Sequence, residues 1–165
     1  MDKIDVLDKL TEDWNKVQDI IVWGYGKVAQ RNISKLHSDF NIITIIDNDE
    51  KLQGKDYCGI AIKNFEDTKS IIKNYKIIVA TSSYAYASIK SELDNLGMKE
   101  YKDYCRLEEF MPEWYWKNKN EIRLSQAFSS VTSRCTFNCK HCNMLMPYYK
   151  EHYDYTADDI VADLE

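Results

Sequence analysis

Three cysteines stand within eight consecutive positions, Cys135-Thr136-Phe137-Asn138-Cys139-Lys140-His141-Cys142, in the spacing C-x3-C-x2-C. A loop this tight gathers three thiolates, the ligands of iron–sulfur clusters and of structural zinc. A 4Fe-4S cluster usually takes four cysteines, so a loop supplying three leaves one iron open to an exogenous ligand. Zinc is the alternative, with His141 as a fourth ligand beside the three sulfurs. Zinc sites, however, commonly show paired C-x2-C or C-x2-C with H-x3-H spacing, and the adjacent Cys142 and His141 point in different directions from one backbone. A chance grouping of buried thiols is the remaining alternative. Cys58 and Cys105 lie apart, in segments that read as half-buried, where a free cysteine acts as a small hydrophobe.

The cysteine spacing resembles the signature of the radical S-adenosylmethionine superfamily. The context extends the resemblance: Ser129-Ser130-Val131-Thr132 lies on an expected strand, Ala127 to Ser133, just before the first cysteine. Beyond the loop, Thr156 with Asp159 three residues later caps an expected helix. The resemblance implies that Cys135, Cys139 and Cys142 ligate a 4Fe-4S cluster whose open iron chelates S-adenosylmethionine. It implies reductive cleavage to methionine and a 5'-deoxyadenosyl radical that abstracts hydrogen from a substrate, with an electron donor for the cluster as a partner. His141 occupies the position where the family usually carries an aromatic side chain near the adenine, and Phe137 is expected to pack the loop. The match covers Phe128 to Glu165, the opening of a family α/β barrel. The chain therefore reads as the N-terminal part of such an enzyme, inactive alone.

A second candidate site is Gly24-Tyr25-Gly26-Lys27-Val28-Ala29, which fits G-x-G-x-x-A directly after an apolar run and before a helical stripe. The glycines permit a tight turn and close backbone approach, so that a pyrophosphate can sit on the helix N-terminus. Asp47 ends the next strand at a spacing suited to accepting a ribose hydroxyl. Thr81 and Ser82 end a later strand near the expected crevice. The region from Gln18 to Tyr104 resembles the Rossmann-like N-terminal domain of sugar-modifying and polysaccharide-biosynthesis proteins, which implies NAD or a nucleotide sugar as ligand. The alternative is that the glycines serve the sharp turn alone and that Asp47, Asn48 and Asp49 form an exposed turn. Tyr86 and Lys90 are spaced Y-x-x-x-K, as in the catalytic pair of short-chain dehydrogenases, but they follow the wrong strand and read as a chance match on a helix surface.

The elements that must position these residues follow from periodicity. Leu7, Leu10, Trp14 and Val17 recur at helical spacing and predict an amphipathic helix over Lys3 to Gln18. Ile20-Ile21-Val22-Trp23 and Ile42-Ile43-Thr44-Ile45-Ile46 are continuous apolar runs suited to parallel strands covered on both faces, and Lys76-Ile77-Ile78-Val79-Ala80 is a further strong strand. Gly59-Ile60-Ala61-Ile62 is a weaker strand. Val28, Ile33 and Leu36 mark one helix, and Tyr84 to Leu96 another, with Gly97 where a helix end favours a left-handed residue. Strand alternating with helix predicts a doubly wound α/β domain. From Glu108 to Arg123 the periodicity fades, and the aromatics of Phe110 to Trp116 read as a linker pinned onto a domain. The resulting division is a Rossmann-like α/β domain over 1–108, a linker over 109–126, and the start of a radical-enzyme barrel over 127–165.

Composition bounds the reading. The chain has 165 residues, 44% hydrophobic and 30% charged, enough apolar material for one compact domain and part of another. A formal charge of −5, with 22 Lys and Arg scattered along the chain, lacks the electrostatic footprint of a nucleic-acid binder. Met1 to Lys16 has no long apolar run, so neither a signal peptide nor a membrane span is expected there. The odd count of 5 cysteines, three of them clustered, suits a metal site in the reducing cytoplasm better than a secreted disulfide framework. A small-molecule or sugar substrate is expected. The rival functions are a nucleotide- or sugar-binding module with a zinc-binding cysteine tail and a nicotinamide-dependent sugar dehydrogenase.

Overall fold

The computed structural model describes residues 9–125, 151 and 154–162. The chain divides into two compact units, Met1–Gln126 and Ala127–Glu165. The first is an α/β unit built on a six-stranded, mostly parallel sheet.

Its centre is the pair of isoleucine-rich runs. Strand β1 (Asp19–Trp23) pairs in parallel with β2 (Asn41–Ile46) on one side and with β5 (Lys76–Val79) on the other. The two-residue β3 (Asp56–Tyr57) pairs antiparallel with β4 (Ile60–Lys63), β4 lies parallel to β2, and β6 (Tyr104–Arg106) lies parallel to β5. The strand order is β3-β4-β2-β1-β5-β6. Successive strand side chains point to opposite faces, so the unbroken apolar run of β1 feeds two cores. Ile20 and Val22 join one cluster with Ile33, Leu36, Phe110 and Trp114. Ile21 and Trp23 join the other with Phe65, Ile72, Ile89 and Leu93.

Helix α1 (Lys27–Asp39) covers the first face with Ala29, Ile33 and Leu36. The four-residue α2 (Phe65–Thr68) and α3 (Ser83–Asn95) contribute to the second. Gly97 ends α3 at φ +80°, and the N–H of Met98 donates to Leu93 O at 3.1 Å while that of Gly97 donates to Asp94 O at 2.8 Å, the paired bonds of a Schellman turn.

Three segments differ from the sequence expectation. In the helix expected over Lys3 to Gln18, the described part forms only a short 3-10 turn, Glu12–Lys16. Long-range bonds hold the chain there instead: Leu10 N–H donates to Glu113 Oε1 at 2.7 Å, and Thr11 N–H and Trp14 Nε1–H both donate to Tyr101 O. The stretch expected as a linker over 109–126 lies for the most part in α4 (Leu107–Lys119), whose Phe110, Met111 and Tyr115 have no exposed surface. Pro112 and the aromatic crowding hide that helix in the sequence, yet the aromatics supply its packing: Trp114 lies 4.6 Å from the Phe40 ring, and its Nε1–H donates to Trp14 O at 2.9 Å. Finally, Cys58 is exposed rather than half-buried, at φ +50° in the turn between β3 and β4, whereas Cys105 on β6 is fully buried.

In the second unit, Thr156 and Asp159 form a reciprocal cap at the start of α5 (Ala157–Ala162). Thr156 N–H donates to Asp159 Oδ2 at 2.8 Å, and Asp159 N–H donates to Thr156 Oγ1 at 3.2 Å. No helix among the described residues is long and apolar enough to cross a membrane.

Candidate functional site

The connections leaving β1 and β5 turn to opposite faces of the sheet, so the carboxyl ends of these neighbouring strands frame a crevice, the place where open α/β sheets bind ligands. Gly24, Asp47 and Thr81 follow β1, β2 and β5 and meet there. Gly24 has φ +104°, and a β-carbon on it would stand 2.4 Å from Thr81 Cγ2 and 3.0 Å from Ala80 O. Glycine is therefore required at this position for both backbone and packing reasons. Gly26 is different: its φ is −73°, open to any residue, and no atom of the described residues lies within 4 Å of where its β-carbon would be. Among the described residues, nothing demands a glycine there or fills the space above it. Ala29 is buried where the helix packs against the sheet.

Asp47 locks the turn. Its Oδ2 accepts the Tyr25 N–H at 2.7 Å and its Oδ1 accepts the Asp49 N–H at 2.9 Å. A carboxylate offers about four lone-pair sites, so two acceptor positions remain for a ligand hydroxyl. Gln53 Nε2–H donates to Asp47 O at 2.6 Å and fixes the start of the following loop.

Two helices open on this crevice. Gly26 is the N-cap of α1 and Ser82 the N-cap of α3; neither makes a side-chain capping bond, and neither helix carries an acidic residue in its first turn. Every other described α-helix does: Glu66 and Asp67 in α2, Glu108 and Glu109 in α4, Asp158 and Asp159 in α5. The positive ends of two 13-residue helices are thus left uncompensated at one place, which favours an anion. Lys27 is exposed at the rim and makes no ion pair among the described residues.

The crevice has two lobes. One, of about 350 Å³, is bounded by Gly26, Lys27, Val28 and Ser82. The other, of about 290 Å³, is bounded by Trp23, Asn48, Ser88, Ile89 and Glu92. Gly24, Asp47, Thr81 and Ala85 line both. The sequence reading missed Asn48 as a lining residue, along with Ser88 and Glu92. Its available signal was the spacing Ala85, Ser88, Ile89, Glu92 along one face of α3.

Tyr86 and Lys90 do not form a proton-transfer pair. Tyr86 OH donates to Glu100, while Lys90 Nζ lies 2.9 Å from Glu100 Oε2 and 3.2 Å from Asp94 Oδ2 and donates to Tyr104 OH at 3.1 Å. Burial and the Glu100 hydrogen bond push the Tyr86 phenol far above the usual tyrosine range, the opposite of what a catalytic tyrosine needs. Burial, with the Asp94 hydrogen bond, likewise pushes Tyr104 up to about 12. Burial works to raise Glu100, but hydrogen bonds from Tyr86 and Lys90 overcome it and hold this carboxyl below its ordinary value.

The proposed cluster ligands Cys135, Cys139 and Cys142, together with His141, lie outside the described residues. Among the described residues, no group of three or more His, Cys, Asp or Glu side chains could hold a metal ion.

With this geometry in view, comparison with known proteins gives one family. Residues 16–103 match the model named C2185-like, N-terminal, which spans more than half of the chain, and the chain belongs to that family. No curated protein matches. Among solved structures, UDP-D-quinovosamine 4-dehydrogenase from Vibrio fischeri is similar at 14% identity, with 87% of this chain and 98% of that one covered and a TM-score of 0.47. A protein named RSP, in complex with β-NADH, is similar at 20% identity and a TM-score of 0.44, over 57% of this chain and 47% of its own.

Proposed function

We propose that the first unit is a Rossmann-like module that binds a phosphate-bearing nucleotide, either NAD or a nucleotide sugar, in the crevice at Gly24 and Gly26. The observation that carries this reading is the convergence of two uncapped, acid-free helix N-termini on one cleft, beside a glycine that the fold itself does not require. In this reading the α1 N-terminus and Lys27 hold the phosphates, and the free lone pairs of Asp47 accept a ribose hydroxyl. Calorimetric titration of the intact protein with NAD, UDP and UDP-glucose tests it. Gly26→Val is expected to abolish the binding with the melting temperature unchanged. No binding of any nucleotide by the wild-type protein would make the unit a scaffold.

The second unit opens, on the same proposal, a radical S-adenosylmethionine domain in the cytoplasm, supported by the C-x3-C-x2-C spacing of Cys135, Cys139 and Cys142. Three thiolates fit the donor set of a 4Fe-4S cluster with one open iron, and such a cluster would supply reductive cleavage of S-adenosylmethionine. Anaerobic reconstitution with iron and sulfide is expected to give a brown protein, and Cys139→Ala a colourless one. Uptake of stoichiometric zinc instead, or the same cluster in the triple cysteine variant, would overturn the assignment.

A further inference from the structure

We infer that the α3-side lobe of the crevice is a specificity subsite for an uncharged, hydroxyl-rich sugar attached to the bound phosphate, and that Glu92 excludes sugars bearing an anionic group. The inference rests on the nucleotide reading of the crevice and adds to it the class of the attached group.

The two lobes differ in charge. Asp47 borders both lobes; the lobe over α1 adds Lys27 and the two helix N-termini, which suit phosphate. Among the described residues, the lobe over α3 has no Lys or Arg in its lining, and adds a second carboxylate, Glu92, to the shared Asp47. Glu92 is half-buried, and its carboxylate takes part in no hydrogen bond or ion pair among the described residues. A half-buried carboxylate bordering a ligand-sized cleft offers its acceptor positions to a ligand hydroxyl. Asn48 complements it: its Oδ1 accepts the Phe65 N–H at 3.1 Å, which orients the side chain and leaves its amide N–H groups free to donate. Ser88 adds a hydroxyl that serves either way. The buried Trp23 and Ile89 supply an apolar floor.

Carboxylate acceptors, an amide donor and a hydroxyl over an apolar floor match the alternating hydroxyl and C–H surface of a pyranose or furanose ring. A carboxylate or phosphate on that ring would meet Glu92 and Asp47 with no cation among the described lining residues to compensate, and like charges in contact are strongly unfavourable.

The test is calorimetric titration of the intact protein with UDP, UDP-glucose and UDP-glucuronate, the last two differing by one carboxylate. Wild-type protein is expected to bind UDP-glucose more tightly than UDP, and UDP-glucuronate about tenfold more weakly than UDP-glucose. Glu92→Gln keeps the shape and an acceptor but removes the charge, so the discrimination is expected to shrink several-fold with the melting temperature unchanged. Equal binding of the two sugars by the wild type, or discrimination that survives in Glu92→Gln, would overturn the inference and leave nucleotide binding in place. Binding of NAD without any of the three uridine probes would do the same. Failure of all nucleotides to bind would overturn both.

Discussion

The backbone N–H of Tyr25 donates to Oδ2 of Asp47 at 2.7 Å, so the glycine turn after β1 is tied to the carboxyl end of β2 by a charge-assisted bond. The second oxygen accepts the Asp49 N–H, and one side chain therefore shapes both walls of the crevice. Asp47→Ala is expected to destabilise the first unit by about 1.5–3 kcal/mol, because two backbone donors lose a charged acceptor. Nucleotide affinity should fall by about tenfold or more in the same variant, through the lost hydroxyl contact and the loosened turn. Urea unfolding and calorimetry on one preparation measure the two effects.

The two glycines of the turn should separate cleanly. Gly24→Ala forces a side chain into φ +104° and toward Thr81, and is expected to cost more than about 2 kcal/mol. Gly26→Ala places a methyl in open space at an ordinary φ and should stay within about 1 kcal/mol. Thermal melts of the two variants decide it; equal losses would contradict the turn geometry.

The network of Tyr86, Lys90, Asp94, Tyr104 and Glu100 makes stability depend on pH at both ends. Glu100 is held below its ordinary 4.5, so its contribution is present above that pH and is lost as pH falls through the lower folded value. Tyr86 is held above its ordinary 10.0, so the folded state keeps a proton that the unfolded chain gives up, and stability falls as pH rises past 10. Glu100→Gln is expected to flatten the acid limb of a denaturation series run from pH 3 to pH 7. An unchanged acid limb would show that Glu100 is not the linked group.

Helix α4 should behave as core of the first unit. Trp114→Ala removes a side chain packed on Phe40 and Phe110 and is expected to cost about 3–5 kcal/mol, whereas Trp116→Ala, on the exposed face of the same helix, should cost under about 0.5 kcal/mol. Comparable small effects at both positions would restore the linker reading. Chemical denaturation followed by circular dichroism distinguishes these outcomes.

The two outlying cysteines should differ in reactivity. Burial pushes the Cys105 thiol well up, while Cys58 is exposed in a turn. In a variant lacking Cys135, Cys139 and Cys142, a maleimide is expected to label Cys58 in the native protein and Cys105 only in denaturant, as mass spectrometry of the peptides would show. Rapid native labelling of Cys105 would contradict its burial.

The sequence by itself determined the central strands and the helices that follow them. Runs such as Ile20 to Trp23 and Ile42 to Ile46 carry their own instruction, since an unbroken apolar stretch of strand length must be covered on both faces. It also placed Gly24, Gly26, Asp47 and Thr81 at strand ends, because turn chemistry is local. What only the tertiary structure decided depends on contacts distant in sequence. The N-terminal segment makes only 3-10 bonds within itself and is held by bonds to Tyr101 and Glu113, so its helical spacing of Leu10, Trp14 and Val17 is satisfied without an α-helix. Helix α4 forms despite Pro112 because Phe40 and Trp14 meet its aromatics across more than 70 residues of chain. The spacing of Glu92 with Ala85, Ser88 and Ile89 marks one face of α3, but only the packing of α3 beside β1 and Asn48 decides that this face borders a cleft rather than water.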